Sequence, residues 1–237
     1  MSKARALVSV VLISVAAAAM LPIGMVTLFR ARRLYAAMAM VLSRTVLAIY
    51  GVKVNVIGGS FPRTQTVYVS NHTSSLDLFV LVALGLPNTR FFLSGFLRKV
   101  IPLGVIAWMM GTFFTVPQAF PEQRRRIFKR AGDELRRTGE SVYLSPEGGR
   151  ITTGDIGTFN KGAFHLATVL GAPIVPMYFR IPRDVDPGRG YAAKPGTVHV
   201  HVLRAIDTTT WRESDVVDNK EHVRALFVRT HEELRCA

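Results

Sequence analysis

The sequence predicts an α/β domain: a mixed, largely parallel central sheet flanked by helices, preceded by a hydrophobic pair of helices suited to a membrane. Three observations carry that reading. Short β-branched runs alternate along the chain with longer helical stretches, the pattern of a sheet covered by helices. Apolar content is 49% and mean hydropathy +0.26, with the excess concentrated in the first fifty residues. The length, 237 residues, fits one sizeable domain with an appendage. Residues 1–50 are accordingly read as membrane-anchoring helices and residues 51–237 as the α/β domain.

Ala6 to Phe29 carries no charge over 24 residues, enough to cross a hydrocarbon core of about 30 Å. Lys3 and Arg5 precede it, and Arg30, Arg32 and Arg33 follow. The larger positive cluster on the far side predicts the inner membrane, with the α/β domain on its cytoplasmic face. Pro22 and Gly24 predict a kink or break. Leu34 to Tyr50 contains Arg44 and is a poor full span, so the second helix is expected to lie in the interface. The competing reading is a secretory signal, with Ala17-Ala18-Ala19 as cleavage site; the apolar stretch runs on past those alanines.

Further on, Val52, Val54 and Val56 alternate with polar residues as a strand ending at Gly58-Gly59. Val67–Val69 is a buried strand, Leu76–Leu84 an apolar helix, and Phe91–Leu93 another strand. Phe96 to Gly111 reads as helix pieces interrupted by Pro102 and Gly104, and Phe113–Val116 as a strand. Pro121 opens a heavily basic helix to about Arg137 whose apolar stripe is only Ile127, Ala131 and Leu135. A solvated face is the ordinary meaning of such a charge run; a membrane-facing or carrier-facing role also fits. Val142–Leu144, Pro173–Ile181 and Val198–Ile206 are strands, and two more helices cover about Asn160–Leu170 and Asp215–Leu234.

Lys plus Arg less Asp plus Glu is 30 − 16 = +14, which favours polyanions: anionic headgroups, phosphorylated substrates, coenzyme A, acyl carrier protein or nucleic acid. The one cysteine, Cys236, excludes a disulfide framework or a cysteine-based metal site. No glycine-rich nucleotide fingerprint is present.

Two stretches carry chemistry. Val67 to Val69 delivers Asn71 and His72 into a turn, with Asp77 five residues beyond the histidine. An imidazole near neutral pH, oriented by an acid, is what general-base chemistry needs. Five residues along a helix is about 500°, so the two meet only if His72 precedes the helix and Asp77 lies in its first turn. Ser74 and Asp77 also approximate a capping box, and both readings can hold. The second stretch is Ser145-Pro146-Glu147-Gly148-Gly149-Arg150. Its glycines allow close backbone approach. Arg150 offers a fork for phosphate or carboxylate, and Glu147 could accept from a substrate hydroxyl or hold Arg150. A plain turn with a structural Glu–Arg pair accounts equally well for the spacing.

Together with Asn160-Lys161-Gly162-Ala163-Phe164-His165-Leu166-Ala167 and Pro173-Ile174-Val175-Pro176, these stretches resemble the glycerolipid acyltransferases, whose familiar members are bacterial 1-acyl-glycerol-3-phosphate acyltransferases. The resemblance covers about residues 50 to 210. It implies a glycerol-3-phosphate acyltransferase-like fold and transfer of a fatty acyl group from acyl-CoA or acyl carrier protein to a lysolipid hydroxyl. It implies His72 as general base, Asp77 as its orienting partner, and Asn71, Glu147, Gly148, Gly149, Arg150 and Lys161 at the substrate, with Arg150 on its phosphate. No cofactor, metal or nucleic acid is implied; the partners are the lysolipid, the acyl donor and membrane lipids. This sequence departs from the family in its second motif: Ser94-Gly95 stands where a lysine is expected, and Val116-Pro117-Gln118 lacks the usual Asp–Arg pair. These departures remove phosphate contacts; the resemblance still implies lysophosphatidic acid as the expected acceptor, with a lyso-aminolipid or another lysophospholipid as the alternative that the lost contacts favour. An esterase or thioesterase using the same pair, or a basic membrane-surface module without catalysis, would fit the same residues.

Among the remaining histidines, His165 is expected to pack in its helix, and His222 and His231 to lie on the outer face of the last helix. His199 and His201 share a strand face without a third metal ligand. Trp108 and Met109-Met110 suit an apolar wall.

Overall fold

The computed structural model describes residues 2–188 and 193–236. The charge-free run forms helix α1 (Ser2–Val26) straight through Pro22. The interruption falls later than expected, at Leu28 and Phe29, whose φ angles are 51° and 54°. Gly24 makes this reversal possible, since a Cβ there would collide with the Phe29 ring as it folds back. Helix α2 (Arg32–Tyr50) buries Tyr35, Ala39, Ser43, Val46, Leu47 and Tyr50, a stripe at spacings of three and four that shares one face. Both helices are long and apolar enough to cross a membrane. Arg44, the charge that weakens the second as a span, donates from Nε to the Ala83 carbonyl at 3.0 Å.

Seven strands form one sheet: β1 (Val52–Gly58), β2 (Val67–Ser70), β3 (Thr89–Ser94), β4 (Phe113–Thr115), β5 (Ser141–Leu144), β6 (Ile174–Arg180) and β7 (Gly196–Val202). Their order is β1-β7-β6-β2-β5-β3-β4. Every pairing is parallel except β6–β7, so the sheet is mixed and largely parallel as expected. The last strand stops at Val202, and Ile206 only bridges to Ile174. All four residues of β2 are buried, Ser70 included, as expected of a strand covered on both faces.

Helices α3 (Asp77–Ala83) and α4 (Ile101–Met109) share one face of the sheet with α1 and α2. There Tyr68, Tyr143, Met177 and Val200 join Ile13, Ala17, Met20 and Leu81 in a common core. Helices α5 (Pro121–Thr138), α6 (Gly162–Leu170) and α7 (Val216–Cys236) cover the other face, where Val67, Leu144 and Ile174 meet Leu135, Phe164 and Phe227. Two histidines depart from expectation. His165 is exposed, because α6 buries Ala163, Phe164, Leu166 and Ala167 on its other side. His222 is exposed as expected, but His231 turns inward, its Nδ1 2.7 Å from the Tyr178 hydroxyl on β6. His199 and His201 do share a face, with ring centroids 6.4 Å apart. Among the described residues no cluster of three His, Cys, Asp or Glu side chains could hold a metal.

Candidate active site

Parallel strands end on the same side, so the loops after β2, β5 and β6 gather at one edge of the sheet, where ligands bind in open α/β sheets. The loop after β2 begins with Asn71, which is buried. Its Nδ2 donates to the Phe179 carbonyl at 3.0 Å, and its Oδ1 accepts the Phe179 N–H at 2.7 Å. The amide expected at the substrate instead ties β2 to β6. The next residue, His72, keeps 34% of its side chain exposed while Asp77 keeps 4%. Asp77 opens α3, so the geometric condition set by the five-residue spacing is met: His72 Nδ1 lies 2.6 Å from Asp77 Oδ2.

That same oxygen accepts the N–H groups of Thr73 at 2.7 Å and Ser74 at 3.0 Å. The Ser74 contact is half a capping box; the other half is altered, because Ser74 Oγ accepts from the Leu76 N–H at 2.9 Å. Asp77 thus shapes the turn and holds the ring together. A carboxylate has no hydrogen to give, so the hydrogen in the shared bond sits on Nδ1 and Nε2 is left as the acceptor of the ring.

Glu147 faces inward. It is 6% exposed, its Oε2 accepting the His72 backbone N–H at 2.6 Å and its Oε1 the Gly157 N–H at 2.8 Å. Neither expectation for it, a substrate hydroxyl or Arg150, matches this geometry: both oxygens are spent on main chain. Burial pushes its carboxyl above the ordinary range, against the pull of the two N–H donors. Ile151 N–H donates to the His72 carbonyl at 2.8 Å, so one turn grips the histidine's main chain on both sides. Gly148, at φ 68°, lets the turn pass Asn160, where a Cβ would stand 2.7 Å from Nδ2. Asn160 Nδ2 in turn donates to the carbonyls of Pro146 and Glu147 at 2.9 and 3.1 Å.

Arg150 is exposed, with one nitrogen donating to Ser75 Oγ at 2.8 Å and to the Gly188 carbonyl at 3.0 Å. Behind it lies Asp186, buried, which accepts from Ser74 Oγ and takes the Gly188 N–H at 2.9 Å. Sequence reasoning does not find Asp186: it stands 112 residues from Ser74 in a loop with no pattern to mark it. Gly149 faces open space, and Lys161 is exposed at the start of α6. His72, Asp77, Glu147, Gly148 and Arg150 therefore form one connected edge; Asn71 lies beneath it.

Such an edge can take a proton from a hydroxyl at Nε2 and place a cation beside it. A family model described as Acyltransferase matches residues 53–180. The chain is similar to a chloroplastic 1-acyl-sn-glycerol-3-phosphate acyltransferase of Brassica napus, 41% identical over 116 residues, 48% of this chain and 32% of the relative. It is also similar to the human 1-acyl-sn-glycerol-3-phosphate acyltransferase beta, 33% identical over 153 residues, 63% of this chain and 54% of that one. The chain thus spans between about a third and half of these relatives' lengths. The crystal structure of a 1-acyl-sn-glycerophosphate acyltransferase, PlsC, from Thermotoga maritima shares the fold, with a TM-score of 0.75 at 21% identity, covering 100% of this chain and 99% of that one.

Proposed function

The chain belongs to the acyltransferase family, and we propose that it moves a fatty acyl group from an acyl thioester to the free hydroxyl of a membrane lysolipid. The acceptor in this proposal is 1-acyl-glycerol-3-phosphate and the product phosphatidic acid. The observation that carries the reading is the 2.6 Å bond between His72 Nδ1 and the buried Asp77 carboxylate. Nε2 removes the acceptor's hydroxyl proton as its oxygen attacks the thioester carbonyl. The carbon–sulfur bond breaks, and the imidazolium returns the proton to the departing thiolate. The substrate hydroxyl fills the place a serine has in a triad, so no acyl-enzyme forms and no cofactor enters the reaction. General-base help of this kind is worth roughly 10²- to 10⁴-fold. Arg150, held by one nitrogen, presents the rest of its fork to the acceptor phosphate.

The exposed apolar side chains of α1 and α4, among them Leu7, Val11, Val15, Ile101 and Trp108, support membrane attachment through this layer, on the cytoplasmic side given Arg30, Arg32 and Arg33. One observation favours a different lysolipid as a second reading. At the end of β3, Ser94 Oγ accepts the Phe96 N–H at 3.3 Å, and nearby Arg98 stacks on Phe114 at 4.5 Å. The family's lysine position supplies no cation for phosphate.

The test is a lysolipid panel with labelled acyl-CoA, products identified by mass spectrometry. Labelled phosphatidic acid is expected; labelled product from another lysolipid selects the second reading, and free fatty acid independent of acceptor refutes transfer.

A further inference from the structure

The chemistry above makes no use of α7, the terminal helix. Val223 and Phe227, four residues apart, are fully buried in the core that α7 shares with α6 and the sheet, which fixes how the helix is turned. Arg224, half-buried, follows Val223. Its guanidinium forms no ion pair among the described residues. Instead Nε donates to the Gly157 carbonyl at 2.8 Å, and a terminal nitrogen donates to the Ile156 carbonyl at 3.1 Å. The rigid, planar fork spans two consecutive carbonyls, where a lysine offers only a point charge.

The clamped segment is the one that feeds Glu147. The Ile156 carbonyl and the Gly157 N–H belong to one peptide unit, and that N–H donates to Glu147 Oε1 at 2.8 Å. Glu147 Oε2 takes the His72 N–H at 2.6 Å. Guanidinium, peptide, carboxylate and histidine main chain therefore stand in series. A charged donor on the carbonyl polarises the peptide and strengthens its N–H as a donor in turn. Gly157 also lies against the second grip on the histidine. A Cβ there would stand 2.9 Å from the Ile151 side chain and 3.4 Å from Glu147 Oε1, and Ile151 N–H donates to the His72 carbonyl at 2.8 Å. Two residues on, Phe159 packs edge-on against Phe227, with ring centroids 5.4 Å apart. Helix α7 thus holds this segment by a polar clamp at Arg224 and by an apolar one at Phe227.

We propose that Arg224 is a positioning residue for His72, acting through the Ile156–Gly157 peptide and Glu147. This rests on the acyl-transfer reading above. Arg224 makes no hydrogen bond to the imidazole; it keeps the Glu147 carboxylate aimed at the His72 main chain, so that the ring reaches Asp77 from a fixed backbone. Such an effect belongs to kcat, because base geometry matters in the reacting step, while the acceptor phosphate is held by Arg150 on another loop. A helix that merely tethered the loop of residues 151–158 would leave His72 unaffected.

The experiment compares full-length wild type, R224Q, R224K, E147Q and R224Q/E147Q in lipid nanodiscs. Acyl transfer from palmitoyl-CoA to 1-acyl-glycerol-3-phosphate is measured together with amide hydrogen exchange by mass spectrometry. A misplacement of about 1 Å can cost about 10²-fold in rate; for the loosened histidine of R224Q, kcat lower by about tenfold is expected, with KM for either substrate within about twofold. Exchange should quicken in peptides that carry His72 as well as in residues 151–158. R224K, which keeps the charge without the fork, should fall between. Because Arg224 acts through Glu147, adding R224Q to E147Q should lower kcat little further. Wild-type kcat in R224Q overturns the proposal, as do losses that multiply in the double variant and faster exchange confined to residues 151–158. Should R224Q not fold, R224K and R224K/E147Q carry the same comparison. If wild type transfers no acyl group while exchange at His72 still depends on Arg224, the transfer reading fails and the relay stands.

Discussion

Asp77 and Glu147 are both buried carboxylates that serve His72, yet they hold different parts of it. Asp77 takes the ring hydrogen and two loop N–H groups on a single oxygen, while its Oδ1 is buried without a hydrogen-bond partner among the described residues. Glu147 divides its two oxygens between the main chains of His72 and Gly157. Charge at the first reaches the imidazole through one bond; charge at the second reaches only the peptide frame. In the proposed reaction the same kind of group therefore governs proton transfer at one position and placement at the other.

Removing the group both acids serve should have the largest effect. His72→Ala is expected to lower kcat by on the order of 10⁴-fold with melting temperature nearly unchanged, since the ring is partly exposed. Wild-type turnover in that variant would detach both acids from catalysis. Asp77→Asn keeps the shape and removes the charge, so kcat should fall on the order of 10²- to 10³-fold at nearly constant KM. If Glu147→Gln costs more than Asp77→Asn, the division of labour between the two acids is wrong.

Arg150→Ala sharpens the boundary between chemistry and binding. Losing a charged hydrogen bond worth about 1.5–3 kcal/mol should raise KM for a phosphorylated acceptor at least tenfold and leave that for the donor alone. Equal rises for both substrates would remove Arg150 from the phosphate. The smallest effect expected is a pH trend in Glu147→Gln. Burial raises the Glu147 carboxyl in the folded state, so its stabilising contribution is full below the ordinary value of 4.5 and lost as pH rises through the raised one. Glutamine does not titrate, so the melting-temperature margin of wild type over the variant should narrow as pH rises above 4.5. A widening margin would mean the two N–H donors outweigh burial.

Much of the fold and half of the site are legible in local pattern. Val67–Val69 reads as a buried strand because it is short, apolar and β-branched, and the helix opening at Asp77 follows from an apolar run after polar residues. The five-residue spacing of His72 and Asp77 then dictates where each must sit, because helix geometry permits contact in only one arrangement. Asn71, Glu147 and His231 depart from expectation for a shared reason. Residue type tells that a side chain seeks polar partners, while the identity of those partners, Phe179, Gly157 and Tyr178, depends on which distant strands and loops become neighbours.

The chain by itself determined the alternation of strands and helices, the apolar N-terminal pair and the histidine–aspartate contact, since each rests on interactions within a few residues or on the periodicity of one element. Tertiary structure alone decided that Asp186 braces the loop beneath Arg150, that Glu147 grips the histidine's backbone, and that the basic helix lies on the opposite face from the exposed apolar helices. Those outcomes depend on strand order, β6 beside β2 and β2 beside β5, and strand order is a property of the assembled sheet that no local stretch encodes.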